Sequence, residues 1–420
     1  MLKIVYFFER RHIYNYDDRM FEFNVFREKG IEIEAWSAVN WTFTNVDLQV
    51  PKNAEKGDFV YYIDNEVILK EQLARIKYAC EQCFFIVYPY HAYSKVSYKI
   101  RKNIRNFGFE FCNITESPAS GNLDVPNRRC LYDILFKEAK RTARMIINVF
   151  AGIIPLSNAK NYREEAYRQL ISFWGPIIYR SKYNFILMPV EIYMLPNMYE
   201  SYSNKNILVH SESYDEYLDS KNENRIIQDK YVVYIDDYMI GHSDFKKNGE
   251  KLPITDTIKY LDDMRYLFEQ VEKKYECKVV IAAHPKSEYK GDEFGNEREI
   301  IYGKTCDLIR DAELVIVEVS TCLNLIALYS KSFINIFSKE MLINTPAFNS
   351  AYDNIHSAFR CRKLDISEKK QVERFGEYVC SYNKVLYDEF IENLIISRNS
   401  VGKNQLIYET VSDYLLKSEN

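Results

Sequence analysis

Short apolar runs alternate, through the first half of the chain, with segments whose apolar residues recur every three or four positions. The runs Lys3–Phe8, Ile31–Trp36, Asp58–Ile63, Phe84–Tyr88, Phe109–Cys112, Phe185–Leu187 and Asn206–His210 predict strands. Between them, Glu66–Glu81 and Cys130–Ile147 carry the helical spacing. Strands alternating with helices predict βαβ units and a parallel sheet. The segment Asp219–Lys230 is polar apart from one Ile pair and reads as a linker. Beyond it, strands are predicted at Tyr231–Ile235, Lys278–Ala283, Glu299–Tyr302, Leu314–Val319 and Phe333–Phe337. Helices are predicted at Asp256–Tyr275, Thr305–Asp311 and Thr321–Tyr329. Val279–Ala283 and Leu314–Val317 are continuously apolar, as strands covered by helices on both faces are. The pattern predicts an α/β protein with two Rossmann-like doubly wound domains, residues 1–225 and 226–420, facing each other across a cleft.

A length of 420 residues suits two such domains. Lys and Arg total 56 against 60 Asp and Glu, a formal charge of −4. That balance lacks the basic excess with which a protein coats phosphate backbones, so no nucleic-acid partner is expected. The 35 Tyr and 25 Phe read as a compositional bias and are assigned no function. The first apolar run meets Glu9 and Arg10 too soon for a signal peptide. Met145–Leu156 falls well short of the roughly twenty residues a spanning helix needs. A cytoplasmic protein is expected, whose nine Cys are free thiols. Cys80 and Cys83 form a lone pair without further zinc ligands. Lys137, Lys140, Arg141 and Arg144 form a basic stripe that would suit peripheral contact with the inner face of the cytoplasmic membrane, although a solvated helix face explains it more simply. Oligomeric state stays open.

Neither GxGxxG nor GxxxxGK[ST] occurs, and the six His are scattered. Ligands of doubly wound domains lie outside the carboxyl ends of the strands, so the strand-end residues come first. His284-Pro285-Lys286 follows one strand; a residue before Pro is held extended, which projects His284 from the strand tip. A structural turn is the simpler account of that dipeptide taken alone. Glu318, Ser320 and Thr321 end the next strand and enter a helix, where hydroxyls and unpaired N–H groups form an anion site or an ordinary cap. Gly303, Lys304, Thr305 and Asp307 make a third strand-to-helix corner. Three polar corners on one sheet edge favour a nucleotide-phosphate pocket. From the first domain, Glu212 follows a strand and would face that pocket as a proton acceptor; a solvated acidic loop is the equal alternative.

An acidic strand-end motif, a His-Pro pair and a Ser-Ser/Thr pair, in this order, resemble bacterial sialyltransferases and polysialyltransferases of the GT-B type. In that family the acidic motif is usually two carboxylates and Gly; here Ser211-Glu212-Ser213 occupies its place, with Glu216-Tyr217 following. His284-Pro285 and Ser320-Thr321 match the other two motifs, and the likeness covers roughly residues 205–340. The segment Tyr231–Asp244, with Asp236, Asp237 and His242, also resembles the opening of the nucleotide-binding domain in polysaccharide-assembly transferases. There Asp236 and Asp237 are expected to order a loop or touch the donor.

The resemblance implies an inverting glycosyltransferase that needs no metal or other cofactor. Its donor would be a CMP-activated acidic sugar: sialic acid, a related nonulosonate, or Kdo. The acceptor would be a glycan hydroxyl in surface polysaccharide, capsule, lipopolysaccharide or lipooligosaccharide synthesis. Glu212 would then be the general base, and His284 would contact the phosphate and assist departure of CMP. Pro285, Lys286, Ser320 and Thr321 would surround that phosphate, and Asp307 or Glu318 would reach the ribose or cytosine. Arg10, Arg11, His12 and His91, which follow predicted strands, are candidates for the acceptor side. Two alternatives stay open: a GT-B transferase with a UDP-, GDP- or CDP-linked donor, and a nucleotide-sugar-binding assembly protein without catalysis.

Overall fold

A computed structural model describes residues 2–9, 11–14, 21–42, 54–79, 82–88, 95–114, 185–188, 206–242, 245, 250–295 and 297–417. It divides into two compact units. The first holds the strands up to Ile207 together with Val411–Asn420, and the second runs Leu208–Thr410. The basic stripe on Cys130–Ile147, Arg10 and His91 lie outside the described residues.

In the first unit the strands are β1 (Leu2–Phe8), β2 (Glu32–Ser37), β3 (Val60–Tyr62) and β4 (Gln82–Tyr88), followed by β5 (Glu110–Ile114), β6 (Phe185–Met188) and β7 (Asn206–Leu208). Helices α1 (Phe23–Glu28), α2 (Val39–Thr42), α3 (Glu66–Ala79) and α4 (Lys95–Asn106) connect them. The sheet order is β3-β2-β1-β4-β5-β6-β7, a doubly wound order with its reversal between β1 and β4. Strands β1, β2 and β4 pair in parallel, Tyr6 lying opposite Ala35 and Ile86. Six of the seven β1 residues are buried because helices cover both faces. Many of the abundant aromatics sit in this core: the Tyr6 ring lies 4.7 Å from Phe23, and Phe8 lies 4.9 Å from Phe21.

The second unit opens with α5 (Glu212–Ser220) and then β8 (Tyr231–Ile235), α6 (Thr257–Tyr275), β9 (Lys278–Ala283) and β10 (Ile300–Tyr302). Next come α7 (Thr305–Asp311), β11 (Leu314–Val317), α8 (Leu323–Leu328), β12 (Phe333–Phe337), α9 (Lys339–Asn344) and α10 (Phe348–Phe359). Then β13 (Lys363–Asp365), α11 (Lys369–Glu373), β14 (Val379–Cys380) and α12 (Lys384–Leu394) follow, and α13 (Ile407–Lys417), whose residues from Val411 belong to the first unit, completes the described chain. The order β10-β9-β8-β11-β12-β13 repeats the topology of the first unit, with β14 added antiparallel to β12. Its reversal falls between β8 and β11. One apolar layer on each face holds the sheet: Val233, Val315 and Ile326 belong to one, Tyr234, Ile316 and Phe268 to the other.

Two expectations change. The second unit begins at Leu208, ahead of the boundary at 225–226. The polar segment Asp219–Lys230 lies inside this unit: Arg225 donates to the Asp311 carbonyl (3.2 Å), Asn224 accepts from Arg310 (3.1 Å), and Ile227 packs on the core. Polar composition reported exposure there, not separation of domains. Glu212 and its neighbours are also not a strand tip of the first unit. They form α5, capped by Ser211 and packed on α7 and α8. Among the described residues, no helix is long and apolar enough to cross a membrane.

Candidate functional site in the second unit

Strand order places the ends of β9, β8 and β11 side by side, and the residues that leave them are His284, Asp236-Asp237 and Glu318. Neighbouring strands are about 4.8 Å apart, so three carboxyl groups and one imidazole meet within the width of two strand spacings. The Asp236 carboxylate accepts the backbone N–H of Tyr238 (2.9 Å) and of His284 (3.2 Å), tying the tip of β8 to the tip of β9. Burial pushes its pKa up to about 6. Asp237 is pushed up to about 7 by burial and by the charge of Asp236, against a hydrogen bond with Ser320 that draws it down. Its Oδ2 is buried without a hydrogen-bond partner.

Glu318 has no exposed surface and accepts from the hydroxyls of Tyr260 (2.9 Å) and Tyr234 (3.4 Å). Burial and the nearby charges of Asp237 and Asp236 push its pKa well above the usual range. Desolvation raises all three acids and repulsion adds to it at Asp237 and Glu318, so near neutral pH these two keep protons that exposed carboxylates would have lost. Among the described residues, no group of three His, Cys, Asp or Glu is disposed to hold a metal ion.

His284 is half-buried and sits on a turn, Ser287 returning both its N–H (2.9 Å) and its Oγ (2.8 Å) to the His284 carbonyl. The Lys286 N–H donates to His284 Nδ1 at 3.1 Å, so the proton of the neutral ring belongs on Nε2. The turn and the site are one object: Pro285 is exposed, and the local hydrogen bonds that make the turn also fix the tautomer. Aromatic neighbours hold the ring, with Tyr238 at 6.3 Å and nearly coplanar in tilt, and His242 at 4.8 Å. Gly241 permits this packing, since a Cβ there would fall 2.5 Å from the Tyr238 ring. Tyr302, at the end of edge strand β10, braces the loop by accepting the Tyr289 N–H (3.2 Å).

On the other side of β8, Ser320 accepts the Cys322 N–H (3.4 Å), and Thr321 is exposed beside it. Helix α8 starts later than expected: its N-cap is Cys322, and it has only six residues, so Ser320 and Thr321 form the turn before it. Gly303 adopts φ +68 with open space where a Cβ would be, and Lys304 caps α7, with Thr305 as its first residue. Asp307 departs from the role expected for it. It is buried and paired with Arg310 (3.1 Å) and Lys304 (3.5 Å), while Arg310 also donates to the Ser220 carbonyl. That carboxylate secures α7 to α5 and is occupied within the protein. Glu318 likewise faces inward, onto two tyrosines.

Glu212 lies in the first turn of α5, in the same unit as His284, and not on the opposite wall of a cleft. The next residue, Ser213, accepts from Asn324 in the first turn of α8 (3.2 Å), which brings Glu212 to the Ser320 side of the edge. Behind it His210 and Asp215 bond to each other, and Asp215 accepts the Ile407 N–H (3.2 Å). Burial moves both toward neutrality, Asp215 up to about 8 and His210 down to about 4. Of the residues considered for the acceptor, Arg11 is stacked among rings, 5.0 Å from Tyr14 and 5.4 Å from Phe8. His12 is buried. Neither is presented as an open contact.

No family model matches the chain, and no curated protein matches it. Solved structures do resemble it in outline. The UDP-GlcNAc 2-epimerase of Methanocaldococcus jannaschii is 12% identical, with 99% of both chains covered and a TM-score of 0.47. UGT2 of Phytolacca americana, complexed with UDP-2-fluoro-glucose and pterostilbene, is 7% identical over 98% of both chains, with a TM-score of 0.48. The wall teichoic acid polymerase TagF is 11% identical, covering 99% of this chain and 89% of that one, with a TM-score of 0.46. Likeness at this level assigns neither a family nor an activity.

Proposed function

We propose that the chain is a glycosyltransferase in which the carboxyl edge of the second sheet holds a nucleotide-activated sugar. The observation that carries this reading is His284, set on a strand end beside the reversal point of a doubly wound sheet, with Nδ1 engaged so that the neutral ring offers its proton from Nε2. A leaving phosphate needs such a donor. In the reaction the acceptor oxygen bonds to the anomeric carbon as the bond from that carbon to the phosphate oxygen breaks. The acceptor proton passes to a carboxylate, and the charge left on the phosphate is met by His284 and by the hydroxyls of Ser320 and Thr321. General acid–base assistance of this kind contributes about 10²–10⁴-fold.

The His284-Pro285 and Ser320-Thr321 motifs favour a CMP-linked acidic sugar as donor and a glycan hydroxyl as acceptor, without a metal in the chemical step. Glu212 is the base in this reading, at the Ser320 side of the edge. The upward shifts of Asp237 and Glu318 suit an anionic ligand at this edge, because ionised carboxylates near a phosphate would repel it.

Thermal-shift titration with CMP, CDP, UDP and GDP tests the reading. A ligand at a hundred times its dissociation constant adds about 2.7 kcal/mol to stability. CMP is expected to raise the melting temperature most. A larger shift with UDP or GDP would replace the donor class, and no shift with any nucleotide would remove the proposal.

A further inference from the structure

Helices α3 and α4 of the first unit line a groove of about 670 Å³ that contains none of the candidate site residues. Both helices bury apolar residues, Leu69, Leu73 and Ile76 from α3 and Ile100 and Ile104 from α4, while Val67 and Tyr78 of α3 stay exposed. Their remaining faces supply the walls. Among the described residues Lys70, Lys77, Lys99 and Lys102 line the groove and Glu66 is the one acidic residue, so four cations less one carboxylate leave three positive charges there. Lys99 (2.5 Å) and Lys70 (3.3 Å) converge on Glu66. Lys77 donates to the Phe107 carbonyl (2.9 Å), and Lys102 leans on the Tyr98 ring at 5.7 Å.

We propose that this groove docks a sugar polymer carrying an anionic group on its repeating units. The inference deepens the sugar-transfer reading and rests on it for the choice of a sugar polymer. Helix α3 rises about 1.5 Å per residue, so Glu66 to Lys77 spans about 16 Å and the lysines form a line along it, not a point. An extended chain with several charges satisfies such a line; a single phosphate does not. Two rings, Tyr98 and Phe107, stand toward opposite ends of α4, with the exposed amide of Asn106 beside Phe107, while the Asn103 amide is buried and occupied by Glu66 (3.3 Å) and the Lys99 carbonyl (2.8 Å). Amides exchange hydrogen bonds with sugar hydroxyls, whereas a nucleic-acid strand calls for successive stacking platforms. Concavity separates the groove from a lipid-binding face, because a flat bilayer would reach only its rim. The whole chain is acidic at −4, so the patch is a local feature and not a general basic character. Because α3 runs from the carboxyl edge of the sheet to its amino edge, the groove extends along the helix from one edge toward the other.

Fluorescence anisotropy with the full chain tests this, using labelled oligogalacturonate as probe, with no nucleotide present. Neutral maltooligosaccharide, a single-stranded oligodeoxynucleotide and phosphatidylglycerol-containing vesicles serve as competitors. Oligogalacturonate is expected to bind, to weaken with rising salt, and to lose at least about tenfold in affinity in Lys70→Glu/Lys102→Glu. The milder Lys70→Gln/Lys102→Gln pair should lose affinity in the same direction and guards against a folding defect in the first variant. No binding by the wild type, binding unchanged in both variants, or tighter capture of the oligonucleotide or the vesicles would each overturn the proposal. Nucleotide thermal shifts are read separately: polymer binding without any nucleotide response would leave the groove in place and remove the transferase reading.

Discussion

The two sheets share one strand order, yet their carboxyl edges have opposite chemistry. In the first unit the central strand ends at Glu9, which is fully buried, bonded to Ser97 and 3.6 Å from Arg101, itself nearly buried. That acid has its base beside it. In the second unit the equivalent strand ends at Asp236-Asp237 with Glu318 on the neighbouring strand, and the acids are met by tyrosines, backbone N–H groups and protons. Topology brings strand ends together in both cases, and the partner of the buried acid decides which edge is closed by its own ion pair and which can titrate near neutrality.

The comparison breaks at definite places. His284→Ala is expected to lower transfer by about 10²–10⁴-fold while leaving the unfolding midpoint nearly unchanged, as read by product formation and calorimetry on the same sample. Arg101→Ala strands Glu9 in the interior and should cost about 3–5 kcal/mol in denaturant titration; Glu9→Gln in the same background should restore part of it.

The acids of the second edge predict a pH effect of opposite sign to that of a paired carboxylate. Their folded pKa values, about 6 for Asp236 and about 7 for Asp237, lie above the unfolded value, so the folded state retains protons that the unfolded chain has released. Their contribution to stability is complete at low pH and is lost as pH rises through 6 to 7. Asp237→Asn should flatten the upper part of that loss by on the order of 1 kcal/mol, seen in melting curves across pH. Nucleotide affinity should weaken over the same window in the wild type and less in this variant. The smallest effect is expected from Gly241→Ala, about 1 kcal/mol or less, which pushes Tyr238 off His284 and should show as a shifted imidazole resonance.

Five of the seven strands of the second sheet were legible in the sequence, and the short strands β13 and β14 were missed. Tyr231–Ile235, Lys278–Ala283 and Phe333–Phe337 appear at the expected residues, because continuous apolar runs admit little else when both faces are covered. Helix α4 was missed: its sequence, KVSYKIRKNIRN, puts Ser97, Arg101 and Asn103 in the interior, where polar residues hide the apolar period. Helix α5 was missed for a related reason, since ESYDEYLDS buries Asp215 and Ser220 through specific partners. At the site, His284 and Ser320 were visible as strand-end residues. The raised pKa values of Asp236, Asp237 and Glu318 were not, because they depend on the burial of two segments about eighty residues apart; adjacent carboxylates at the end of an apolar strand, with a third ending another such strand, were the available signal.

Helix α5 is riveted to the second unit by the Ser220 hydroxyl against Tyr329 and Cys306, by Ser213 against Asn324, and by the Ser211 N–H on the Ile395 carbonyl. Glu212 therefore rides on the same rigid frame as His284, and their separation is a constant of that frame. In the proposed transfer, arrival of this carboxylate from elsewhere is not what sets the timing; the incoming hydroxyl is the component that has to travel.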